Sequence, residues 1–150
     1  MPTDYIVASL PTLAFGRPAP LSWERFAELA GPAAARPPAA WTDLETQLRN
    51  ALAEARSGSR RHARPTDGCS LYWKNRMLAA FAEPDVARRD EQIDRVWWDA
   101  AGELTPVAEP LGAGALATYA VRLRLALRRD KISRTDGNAA FDRLTAETKN

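Results

Sequence analysis

Apolar residues of this chain recur most clearly between Leu116 and Lys131. There Leu116, Tyr119, Ala120, Leu123, Ala126 and Leu127 share one helical face, and Arg122, Arg124, Arg128, Arg129 and Lys131 fall outside it. Val121 and Leu125 form a second, narrower apolar strip between the basic residues. Two strips predict a helix contacted on two sides, one able to hold a bundle together or to meet a partner. Beyond it, Ser133 with Asp136 three residues on reads as the cap of a separate last helix. In that helix Ala140, Phe141 and Leu144 face inward, and Gly137 in the first turn permits close approach of a neighbour.

Taken in order, the rest of the chain also reads as helices and connectors. Tyr5 to Leu10 fits a strand or a short helix ended by Pro11, and helix is preferred, with the conformation of residues 4–15 left open. Residues 13–20, broken by Gly16, Pro18 and Pro20, are a connector. Ser22 caps the next helix, with Leu21 and Phe26 as a hydrophobic staple and Gly31-Pro32 as the stop. The Pro/Ala-rich stretch 32–40 reads as a semi-rigid linker. Thr42-Asp43-Leu44-Glu45 fits a capping box, after which Leu44, Leu48 and Leu52 run to about Arg56. Residues 57–66 read as a flexible basic loop. From about Ser70 to Ala82, Trp73, Met77 and Phe81 mark another helix. Pro84 then opens one whose stripe is Val86, Ile93, Val96, Trp97 and Ala100 or Ala101. The expectation is an all-α, single-domain, compact bundle of five or six helices.

Composition narrows the function classes more than it names one. Charge is nearly balanced, 21 Lys+Arg against 19 Asp+Glu, so nucleic-acid binding cannot be argued from the net +2 despite a pI near 9.0. One cysteine, Cys69, excludes an internal disulfide, and a lone His62 leaves no His/Cys set for zinc, which points to a reducing cytoplasm and to no metal. Asp4 stands where a secretory signal would carry Lys or Arg, and no run approaches the about 20 apolar residues that cross a bilayer.

The candidate interaction residues are basic and aromatic. Arg56, Arg60, Arg61 and Arg64 could hold phosphate or an acidic protein surface, against the plainer reading of a solvated loop. No aromatic residues interleave with them, as a single-strand platform requires. Trp97 and Trp98 turn roughly 100° apart, so Trp97 faces inward and Trp98 lies either beneath a loop or exposed as an anchor for a neighbouring protein. Arg122, Arg124, Arg128 and Arg129 offer charge to an acidic partner. The acidic residues Asp85, Asp90, Glu91, Asp94 and Asp99 read as solvated pairs along one helix. Neither His62 nor Cys69 has the company a catalytic base or nucleophile needs, and Gly112-Ala113-Gly114 lacks the further glycine and lysine of a phosphate loop. No catalytic, cofactor or metal residue is expected.

Four segments together carry a resemblance. They are Tyr5 to Leu13, Leu48-Arg49-Asn50 with Ala55-Arg56, Glu91 to Trp98, and Leu116 to Arg128 followed by Gly137 and Phe141. In order and spacing the chain resembles the bacterial family catalogued as domain of unknown function 2764, encoded among the subunits of V/A-type ATP synthases. It is similar, more distantly, to the all-helical C subunit of those machines, which couples the central shaft to the membrane ring. The resemblance implies helical packing like that of the C subunit and a non-catalytic structural, coupling or assembly role in proton or sodium transport. It also implies a cytoplasmic place, peripheral to the membrane through other V/A-type ATP synthase subunits. The chain is much smaller than an ordinary C subunit, so a reduced version or an accessory factor is the form implied. The alternatives are a module binding nucleic acid or anionic lipid through Arg56–Arg64, and a small enzyme using Cys69 or a carboxylate.

Overall fold

The computed structural model describes residues 1–148, and the side chains of all of these but Ala33, Ala35 and Ala140. Six α-helices follow one another: α1 (Thr3–Ser9), α2 (Trp23–Ala30), α3 (Ala39–Ser57), α4 (Leu71–Phe81), α5 (Val86–Ala101) and α6 (Ala113–Thr148). Short 3-10 turns lie at Pro32–Ala35 and Gly102–Leu104, and no strand occurs among the described residues.

Local chemistry sets most of the boundaries. The Ser22 hydroxyl accepts from the Arg25 N–H at 3.1 Å, the Ser70 hydroxyl from Trp73 N–H at 3.3 Å and the Asp85 carboxylate from Arg88 N–H at 2.8 Å. Each satisfies a donor that a helix start would otherwise orphan. Gly58 ends α3 in the left-handed region at φ 69°, where a side chain would be strained.

Two expected starts move. Helix α3 begins at Ala39 behind Pro38, three residues before the capping box, and Thr42 hydrogen-bonds back to the Pro38 carbonyl instead of capping. Proline needs no donor in a first turn, so Pro38 sets the entry without a side-chain cap. At α5 it is Asp85, not Pro84, that closes the boundary, because its carboxylate can accept a bond and proline's ring cannot. The stretch 32–40 is likewise no plain linker. Its first part is a 3-10 turn packed on α2 and α6, and its last two residues already belong to α3.

Helix α4 packs between α3 and α5, and α6 lies between that trio and the N-terminal pair. Against one side of α6, Ile6 and Phe26 bury Leu116, Ala120 and Leu123. On the other, Val121 packs onto a second core built from Trp41, Leu44, Leu48, Trp73, Met77, Ile93 and Val96. Fully burying a side chain such as Phe26, Leu48, Met77 or Leu123 stabilises by about 1.5–3 kcal/mol. The two apolar strips of α6 therefore serve two cores.

The separate last helix does not exist. Ser133 and Gly137 lie inside α6, which runs 36 residues, about 54 Å, without a break. A mid-helix glycine costs about 1 kcal/mol relative to alanine, too little to interrupt a run rich in Ala, Leu, Arg and Lys. Phe141 and Leu144 consequently point to solvent, 68% and 63% exposed, and the Ala140 side chain lies outside the described residues.

One close approach fixes where α6 enters the bundle. A Cβ on Gly114 would sit 2.1 Å from the Leu104 carbonyl oxygen and 2.9 Å from the Pro106 ring. Gly114→Ala should lower stability by about 1–2 kcal/mol in urea unfolding, overpacking outweighing the gain in helix propensity. Gly137→Ala, with open space around it, should instead be neutral or stabilising.

Tyr119 ties this region to the N-terminal connector. Its ring stacks on Phe26 at 5.5 Å and its hydroxyl donates to the Pro11 carbonyl at 2.7 Å. Burial pushes its phenol up to about 12 from an ordinary value of 10. Because the folded value is raised, this contribution to stability is intact below pH 10 and is lost as pH climbs toward 12. Tyr119→Phe should flatten that alkaline decline in a melting series.

Candidate functional site

A groove of about 520 Å³ lies where α3, α5 and α6 meet. Each helix presents one face to it at helical spacing. Helix α3 supplies Trp41, Glu45, Arg49, Leu52 and Arg56, α5 supplies Asp90, Ile93, Asp94 and Trp97, and α6 supplies Val121, Arg124, Leu125, Arg128 and Ile132. The floor is apolar and partly aromatic, with Trp41 and Trp97 in edge-to-face contact at 6.2 Å. The rim is charged. An apolar trough between charged walls is the kind of surface on which amphipathic helices pack in general.

The arginines expected to meet a partner divide into two kinds. Arg128 and Arg129 both bind the carboxylate of Asp94, Arg129 at 2.9 Å, and so clamp α6 to α5. Asp94 is only 9% exposed, which corrects its reading as one of a row of solvated acids. Arg122 is also structural. Its Nε donates to the Trp98 carbonyl at 3.0 Å and its guanidinium lies 5.3 Å from that indole, where burial pulls its pKa down and Asp99 opposes the shift. Arg124 covers Trp23 at 4.3 Å, on the flank of the groove. Arg49 pairs with Glu45 at 2.7 Å on the rim, and exposed Arg56 stands at the far end.

Trp98 is under a loop. It is 6% exposed, covered by Phe15 edge-on at 5.6 Å, and Phe15 is itself flanked by the guanidinium groups of Arg95 and Arg129. The neighbouring Trp97 reaches the groove instead. Sequence spacing put Trp97 on the Ile93 stripe, but only the packing of Phe15 on Trp98 decides which indole is accessible.

The basic segment forms a second, separate region. Exposed Arg60 bonds the Glu54 carboxylate at 3.0 Å, which Lys74 approaches at 3.4 Å. Desolvation pushes the Glu54 carboxyl up, and Arg60 and Lys74 more than offset this, leaving it below its ordinary value. Past Arg61 the chain is held by α3. Asn50 bonds both backbone groups of Arg64, Gln47 accepts from Ser70 N–H, and the Asp43 carboxylate accepts from Asp67 and Gly68 N–H. The Asp67 N–H bond, first, and then Gln47 hold the Asp43 carboxyl below its ordinary value. Arg56 lies on the groove side and Arg60 is committed to Glu54, so the four arginines do not converge on one anion site. Asp43, Gln47 and Asn50, which organise this loop, were invisible as such in the sequence because their partners lie 14 to 25 residues away.

Cys69 is exposed beside this loop, and no group of three or more His, Cys, Asp or Glu among the described residues is placed to hold a metal. No helix among them is long and apolar enough to cross a membrane. Compared with protein-family models, curated proteins and solved structures, the chain matches none.

Proposed function

We propose that this protein is a non-catalytic coupling or assembly component that receives a partner's helix in the groove between α3, α5 and α6, and that its partners belong to a V/A-type rotary ATP synthase. The observation that carries the first half is the groove itself, floored by Trp97 and Leu125, walled by arginines and carboxylates, and set in helices locked together by Asp94. The second half rests on the family resemblance of the Tyr5, Leu48, Glu91 and Leu116 segments. The action is mechanical. A helix fixed between two cores passes a displacement on or positions a neighbour, and nucleotide hydrolysis belongs to other chains.

Purification of the tagged chain from its own cells should co-isolate the A, B, D and E subunits, and their absence overturns the rotary-machine assignment. Ile132→Asp, at the half-exposed end of the groove, should cut that recovery about tenfold, an interface anchor replaced by a charge, with an unchanged thermal melt. Undiminished recovery by this variant would place the contact outside the groove.

A further inference from the structure

We infer that two copies of this chain pair antiparallel through the projecting half of α6, residues 131–148. The last tie between the N-terminal connector and α6 is the bond from Ala19 N–H to the Asp130 carboxylate, 2.9 Å. Beyond it the hydroxyls of Thr135, Thr145 and Thr148 bond only to carbonyls of their own helix. Phe141 lies 18 residues after Leu123, five whole turns at 100° per residue, so both project from the same side of the rod. Leu123 is 0% exposed and Phe141 is 68% exposed. The face that α1 and α2 cover inside the bundle thus continues outside it through Gly137, Phe141 and Leu144.

What fits that face is a second copy of itself. With the two rods antiparallel and Lys131 of one level with residue 147 of the other, each Phe141 lies opposite Gly137 of its mate, where nothing stands within 4 Å of an added Cβ. Each Leu144 lies along the stem of an Arg134, whose guanidinium comes within reach of Asp142 across the seam. This register is the one the bundles allow, since the overlap of 131 to 147 is bounded at both ends by the other copy's globular part. Charge favours it too. Lys131, Arg134 and Arg143 balance Asp136, Asp142 and Glu147, so like segments do not repel. About 27 Å of paired helix is a small contact, so the dimer forms only with rising concentration. This does not rest on the groove, and Ile132 points away from the seam.

Sedimentation equilibrium of the full chain from about 1 to about 300 µM should show the mass rising from 16.5 kDa toward twice that value. Phe141→Asp should hold it at 16.5 kDa with helix content unchanged. Gly137→Leu should weaken pairing by about tenfold or more although it adds apolar surface, because the gap for Phe141 is filled. Arg134→Asp and Asp142→Arg should each weaken pairing and together restore it. In a Cys69→Ser background, a short bismaleimide should join Asn138→Cys copies and fail to join Thr148→Cys copies, which antiparallel pairing keeps about 27 Å apart. A mass that stays at 16.5 kDa throughout, tighter pairing by Gly137→Leu, or linkage through position 148 overturns the proposal.

Discussion

Leu123→Ala is expected to cost about 3–4 kcal/mol in urea unfolding, while Phe141→Ala, on the same face of the same helix, changes stability by no more than about 0.5 kcal/mol at low micromolar concentration. Leu123 is fully buried, packed with Ile6, Phe26, Leu116 and Ala120. Truncating it removes three heavy atoms from a site whose aromatic neighbours, Phe26 stacked on Tyr119 and tilted on Trp23, are too constrained to collapse into the space. Most of the cavity term is therefore retained. For a chain of this size the loss corresponds to a melting temperature lower by about 10 °C. A comparable cost at both positions would mean that the projecting half of α6 is packed against the bundle, and the pairing of two copies would go with it.

Asp94→Ala should cost about 3 kcal/mol, and Asp94→Asn somewhat less. The side chain is 13% exposed and binds two guanidinium groups from α6, so its removal leaves Arg128 and Arg129 side by side at the α5–α6 joint without their counter-charge. Arg128 is about half exposed and can swing into water, which holds the penalty below that of a fully interior pair. Asp99 supplies the control. It too carries two arginines, Arg76 at 3.0 Å and Arg95 at 3.2 Å, but its side chain is 28% exposed, and Asp99→Ala should cost about 1 kcal/mol. Equal costs for Asp94 and Asp99 in parallel denaturation series would remove the idea that Asp94 is the clamp. Loosening that clamp also opens the groove wall, so Asp94→Asn tests docking and stability together.

The candidate site was only half legible. Ile93, Trp97, Val121 and Leu125 each stood out as one helix's apolar position and Trp41 did not, and no spacing announces that α3, α5 and α6 meet around them. Basic residues misled for the opposite reason. Arg122, Arg128 and Arg129 read as a solvent-facing set because a helical wheel records only the residue's own helix, whereas Trp98 and Asp94, 24 to 35 residues earlier, turn them into internal fasteners.

What the sequence determined by itself was the all-α class, the central place of Leu116 to Lys131 with its two apolar strips, and the cap at Ser22. All of these follow from interactions within four residues or from the period of burial along one helix. Tertiary structure alone decided that Ser133 and Gly137 continue α6 rather than start a new helix, that Trp98 is roofed by Phe15 while Trp97 lines the groove, and that Phe141 is exposed where Leu123 is buried. The periodicity of an apolar stripe tells which side of a helix wants covering, and it carries no information on how far along the rod the rest of the chain reaches to cover it.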